Sequence, residues 1–157
     1  MPDLREHANE LLKLIQTALP MEGESTLEWN ETDQCALTFD ENLAVIITLD
    51  EVVEAIFLNW VLGELPTEPQ EAVEAMHDLL EANYEWRMTE GGTLGIDPDT
   101  SVISLCYRVN LPLDEPAIIQ DIIVKLYNIS THWQRTLNLG YAEETVGGPV
   151  KSVRDLL

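Results

Sequence analysis

Three histidines, two cysteines and 29 carboxylates are the side chains through which this chain of 157 residues could do chemistry. His7, His77 and His132 are far apart in sequence, and none sits in the HExxH spacing that places two ring nitrogens on one side of a helix. No metal site is expected from them. Asp97, Asp99 and Ser101 begin like a calcium loop, but Val102 stands where that loop needs Gly and Arg108 where it needs its closing Glu. Gly91-Gly92-Thr93-Leu94-Gly95 has the glycines of a phosphate cradle. No Lys-Ser/Thr follows, no GxGxxG is present, and the cluster leads into a strand pattern instead of a helix. There is no GxSxG nucleophile elbow. Cys35 and Cys106 have no sequence-near His or Lys to lower a thiol pKa. With so many carboxylates, two close together signify little as an acid–base pair. The chain therefore reads as a protein that holds another protein, with no catalytic residue, cofactor or metal.

The charge narrows the choice of partner. Eight Lys and Arg against 29 Asp and Glu give −21. Nucleic acid is a poor partner, since affinity there comes from cations neutralising phosphates, and an anionic membrane surface is disfavoured for the same reason. Two readings of the charge stay open. One is solubility through self-repulsion; the other is a basic or aggregation-prone partner. No apolar run approaches the roughly 18 residues of a membrane span. The opening MPDLREHANE has no apolar signal core, so a cytoplasmic location is expected, with both cysteines as buried free thiols in a reducing compartment. Asn30-Glu31-Thr32 and Asn128-Ile129-Ser130 match the glycosylation sequon and are read as chance.

The length suits one domain. Leu4, Ala8, Leu11, Leu12, Ile15 and Leu19 recur at three- and four-residue steps, predicting a helix over 3–19 capped by Asp3 with Glu6 and stopped by Pro20 and Gly23. Runs 35–39, 43–49 and 52–62 are short, β-branched and aromatic, separated at 40–42 and 50–51, and predict an antiparallel meander. In the third run Ala55, Phe57, Asn59 and Val61 point one way and Glu54, Ile56, Leu58 and Trp60 the other. Both faces carry large apolar groups, so one should meet helices and the other something else. Gly63-Glu64-Leu65-Pro66 is read as ending the sheet segment. Thr67 as cap and Pro69 in the first turn open a second helix, with Val73, Met76, Leu80 and Tyr84 as its stripe, ended by Glu90-Gly91-Gly92. Strands at 93–96 and 102–109 flank the turn Asp97-Pro98-Asp99-Thr100. A last helix runs from about Asp114 to Leu139, before Gly140. The expected class is α+β in the order α-β-β-β-α-β-β-α, an antiparallel sheet packed against helices. The domain is expected over 1–140, with a flexible tail at 141–157.

Leu79-Leu80-Glu81-Ala82-Asn83, then Gly91-Gly92-Thr93-Leu94-Gly95-Ile96-Asp97, then Val102-Ile103-Ser104-Leu105, resemble class I type III secretion chaperones, the Tir chaperone family. Leu62-Gly63-Glu64-Leu65-Pro66 is similar to that family's link between third strand and second helix, and His132-Trp133 is similar to its last helix. The resemblance covers about residues 4–138. It implies a cytoplasmic homodimer that binds the N-terminal region of a secreted effector, keeps it extended and export-competent, and delivers it to the secretion ATPase. By position it implies a dimer contact at Met76, Leu80 and Tyr84. It also implies effector contacts at Leu11, Leu12 and Ile15 on the first helix and at Leu37, Phe39, Val45 and Ile47 on the first strands. Edge-strand addition suits such a role, because main-chain hydrogen bonds tolerate varied partner sequences. The alternatives are an adaptor or sensory domain of the same fold outside secretion, since fold alone does not fix function, and a small-molecule enzyme with an acidic pocket.

Overall fold

The computed structural model describes residues 3–21, 27–39 and 43–139. The expected helix stop at Gly23, the turn at 40–42 and the tail at 141–157 lie outside these residues. Helix α1 spans Leu4–Ala18, with Asp3 as its extended N-cap. The Glu6 carboxylate accepts the Asp3 backbone N–H at 3.2 Å, which satisfies one group that the first turn leaves unpaired. Strands follow at β1 Gln34–Thr38, β2 Ala44–Asp50 and β3 Ala55–Glu64, then helix α2 Pro69–Asn83, strands β4 Thr93–Ile96 and β5 Val102–Asn110, and helix α3 Pro116–Leu139. All pairings are antiparallel and the sheet order is β1-β2-β3-β5-β4. The α+β order read from the sequence is the order observed.

Several local boundaries differ from expectation; among them, α2 ends at Asn83, ahead of the expected stop at Glu90-Gly91-Gly92. Strand β3 begins at Ala55, not at 52, because Asp50 turns the chain: its carboxylate accepts the N–H groups of Val52 and Val53. At its other end β3 runs on through Glu64, which pairs with Val102 after a bulge between Val61 and Gly63. The cap of α2 is Glu68, whose carboxylate accepts the Glu71 N–H at 2.9 Å, with Pro69 following it.

Strand alternation sorts the side chains onto two faces. Cys35, Leu37, Val45, Ile47, Leu49, Ile56, Leu58, Trp60, Leu62, Ile103, Leu105 and Val109 are buried on one face, and α1 and α3 cover it. Removing each large aliphatic side chain from water contributes about 1.5–3 kcal/mol. Phe39, Trp60 and Tyr127 join β1, β3 and α3 through ring contacts with centroids between 5.2 and 6.3 Å apart.

The turn between α2 and β4 is packed from inside. Thr89 is buried, and its hydroxyl donates to the Gly92 carbonyl at 2.6 Å. A Cβ at Gly92 would lie 2.9 Å from the Leu105 side chain and 3.1 Å from the Thr89 carbonyl oxygen. Gly92→Ala is expected to cost about 1–3 kcal/mol through this overpacking, read as a lower urea midpoint; an unchanged midpoint would show that the turn has room to spare.

Candidate protein-interaction surface

Helix α2 carries two apolar faces of different character. Ala75, Leu79 and Ala82 are buried against the domain. Val73, Met76, Leu80 and Tyr84, spaced along the opposite side, face solvent, with Leu80 and Tyr84 exposed to 73% and 72%. Trp86, just past the helix, is also exposed, at 56%. It stands on a short 3-10 turn, Tyr84–Trp86, in which Glu85 and Trp86 both have positive φ (56° and 55°). Two consecutive non-glycine residues in the left-handed region cost of order 1–3 kcal/mol each, a strain typical of functional segments.

The seven residues expected at an effector site lie on the expected elements and are buried. Leu11, Leu12 and Ile15 lie on the inner side of α1, and Leu37, Phe39, Val45 and Ile47 on the helix-covered side of the sheet; none is more than 7% exposed. They hold α1 and the β1–β2 hairpin to the core. Their apolar character serves the chain's own packing in this fold. The three residues expected at a dimer contact, Met76, Leu80 and Tyr84, are all exposed.

The uncovered sheet face is mixed. Ile46, Phe57 and Val61 are half-buried there beside Thr48, Asn59, Ser104, Cys106 and Arg108. The Arg108 guanidinium lies 6.0 Å from the Phe57 ring centroid, within cation–π range. Val52 and Val53 are exposed at the β2–β3 turn, a pair that strand periodicity had absorbed into β3.

Among the described residues, no group of three or more His, Cys, Asp or Glu side chains could hold a metal ion, and no helix is long and apolar enough to cross a membrane. Burial pushes the Cys35 thiol above its ordinary pKa, and loss of water also raises Cys106. Burial lowers the pKa of His132. Cys106 is not buried as expected: it lies exposed on the open sheet face, near the Asn59 side-chain oxygen at 3.1 Å.

Residues 10–134 match the sequence model of the Tir chaperone protein (CesT) family. The fold is similar to a chain in the crystal structure of the ExsC-ExsE complex, with a TM-score of 0.66 and 19% identity over 87% of this chain and 97% of that one. It is similar also to a chain in the HopA1-SchA chaperone-effector complex, with a TM-score of 0.61 and 17% identity over 87% and 100%. A third likeness is to the structure of the Yersinia pestis type III secretion chaperone SycH with a stable fragment of YscM2, at a TM-score of 0.56 and 18% identity over 80% and 98%. No curated protein sequence matches the chain.

The two thiols give a direct check on this surface. With both pKa values raised, both thiols are protonated at neutral pH, and their reaction with Ellman's reagent should accelerate as pH rises. Cys106 should react in a fast phase and Cys35 only in a slow one limited by opening of the core. Equal rates for the two would contradict the placement of β1 and β5.

Proposed function

Because this chain belongs to the Tir chaperone protein (CesT) family, a family of effector-binding chaperones and not of enzymes, we propose that it works as a cytoplasmic homodimer on the N-terminal region of a type III secreted effector. It keeps that region extended and export-competent and hands it to the secretion ATPase. The observation that carries the homodimer is the exposed stripe Val73, Met76, Leu80 and Tyr84, with Trp86 exposed just past it. Soluble monomers seldom leave such a run uncovered. A two-fold contact between two α2 helices would bury the same residues from both copies.

The effector is proposed to lie along α1 and the β1–β2 hairpin, the elements that carry Leu11, Leu12, Ile15, Leu37, Phe39, Val45 and Ile47. Those seven side chains fix the elements in place, and contact falls on the outward residues and on the main chain of the β1 edge. A disordered segment can cover a large surface in this way while its ordering entropy holds the affinity in check. The ExsC-ExsE and HopA1-SchA structures, named as complexes and the latter as chaperone with effector, support this reading by analogy of fold.

Two outcomes are expected in solution. Leu80→Asp sets a charge in the α2 contact and should raise the dimer dissociation constant at least about tenfold, or about 1.4 kcal/mol. Its circular dichroism should be unchanged, because Leu80 supports nothing inside the chain. Light scattering that still finds an intact dimer removes α2 from the contact. Each copy brings a charge of −21, so the wild-type dimer should tighten as salt rises from low ionic strength; tightening on dilution of salt would point to an ion-paired contact instead. The client is tested by affinity capture from the native host. A bound chain exported by the secretion apparatus, released by deleting its N-terminal region, is the expected result. Capture of only non-exported proteins would end the secretion reading.

A further inference from the structure

In the motif Leu79-Leu80-Glu81-Ala82-Asn83 followed by Gly91-Gly92-Thr93-Leu94, the Asn83 side chain has main chain as its partner. The Asn83 side-chain NH2 donates to the Leu94 carbonyl, and the Asn83 side-chain carbonyl accepts the Leu94 N–H, both at 2.8 Å. Leu94 lies on β4, an edge strand of the sheet. The β4–β5 register pairs Thr93 with Cys106 and Gly95 with Ser104, and Asp97 N–H continues the ladder to Val102 at 2.8 Å. Alternation then turns the main-chain groups of Leu94 and Ile96 away from β5. Asn83 therefore bonds Leu94 as a neighbouring strand would. Ile96 is left as one outward pair beside the turn at 97–100.

The opposite edge is built differently. Along β1, Leu49 N–H bonds to Asp33 and Phe39 N–H to Leu43, so Gln34, Ala36 and Thr38 turn their main-chain groups outward. Asn30 occupies those of Gln34: its side chain accepts the Gln34 N–H at 2.9 Å and its own N–H donates to the Gln34 carbonyl at 2.8 Å. Ala36 and Thr38 are exposed, and no described residue pairs with their outward groups. Among the described residues they are two successive outward pairs without a partner, enough to set a register for an added strand.

We propose that Asn83 is an edge lock. It closes β4 to strand addition, so that an extended polypeptide segment adds to the sheet only at β1, through Ala36 and Thr38. The proposal deepens the effector reading above and rests on it for the identity of the added strand; the lock itself does not. It follows that two copies meeting through α2 join by side chains, without forming one continuous sheet across β4. Unblocked edges of this kind pair with whatever strand is nearby, and a chaperone holding unfolded segments meets such strands constantly.

The test uses the full chain and amide NMR. In Asn83→Ala both bonds to Leu94 are lost, and the Leu94 amide should exchange with solvent about tenfold faster while β1–β3 keep their wild-type spectrum. A short nitroxide-labelled peptide of alternating valine and lysine serves as the probe strand. In the wild type it should broaden the amides of Ala36 and Thr38 and spare Leu94 and Ile96; in Asn83→Ala it should broaden both edges. Thr38→Pro, tolerated where the lost N–H faces solvent, should remove the effect at β1. Asn83→Asp keeps the acceptor and loses the donor. It gives a milder opening should the alanine variant fail to fold, with Leu94 exchange nearer wild type and partial broadening at β4. Unchanged Leu94 exchange in folded Asn83→Ala, or broadening of β4 in the wild type, overturns the lock. Faster exchange without any broadening at β1 leaves the lock standing, overturns its β1 half and counts against strand addition by an effector.

Discussion

Two hydrogen bonds of 2.8 Å from one side-chain amide tie the end of α2 to the edge of the sheet, and the outer surface of the protein follows from that attachment. A helix held to an edge strand at close range has room for small residues beneath it, and Ala75 and Ala82 supply them around Leu79. The large residues of α2 are then left on the far side. Neutral hydrogen bonds contribute about 0.5–1.5 kcal/mol each, and burying Leu79 about 1.5–3 kcal/mol. Those few kilocalories fix the rotation of the helix about its axis, and hence which stripe of side chains meets the solvent. Gly92 belongs to the same arrangement. Its missing Cβ lets the turn approach Leu105, which brings Leu94 level with Asn83.

Much of this could be read from the sequence wherever a local signal had a single physical meaning. Pro116, the apolar spacing after it and the run to Leu139 admit only a long helix, and α3 is observed over that range. Alternation groups Ile56, Leu58 and Trp60 on one face of β3, and they are buried together, but with apolar residues on both faces it does not say which one the helices cover. The signal gave out where an apolar residue had two possible destinations. Leu11, Ile15, Val45 and Ile47 look the same in sequence whether they pack on the chain's own core or on a bound segment. Only the closing of α1 over the sheet distinguishes the two. On α2 the ambiguity runs the other way: Val73, Met76, Leu80 and Tyr84 make the more hydrophobic stripe, yet the alanines face inward. Burial there is governed by the space beside β4, a tertiary quantity that periodicity does not contain. Asn83 was visible as a motif residue, but its role depends on a hydrogen bond to a strand eleven positions away.

The chain presents two kinds of sticky surface, and they make opposite demands on a partner. As proposed, the α2 stripe would be recognised through side-chain shape, so a self-complementary two-fold contact suits it and an arbitrary sequence does not. The β1 edge would be recognised through main-chain groups, which every polypeptide carries. Separating the two, with Asn83 closing the edge nearest α2, keeps a client strand from competing for the region that the helix stripe occupies.

The acidic shell bears on both surfaces. Distributed over a small domain, 29 carboxylates against eight cations repel a second copy at long range. At physiological salt that repulsion is felt mainly once copies approach within a Debye length, about 8 Å, and only a contact that buries much apolar area offsets it. Loose, misaligned encounters bury little and are disfavoured. A stripe this apolar would otherwise adhere to many surfaces. An extended client segment is penalised only if it is itself acidic, so the same field that keeps copies apart favours neutral or basic segments at the β1 edge. On the reading proposed above, charge complementarity would select the class of segment, and main-chain pairing would then hold it with little regard for its sequence.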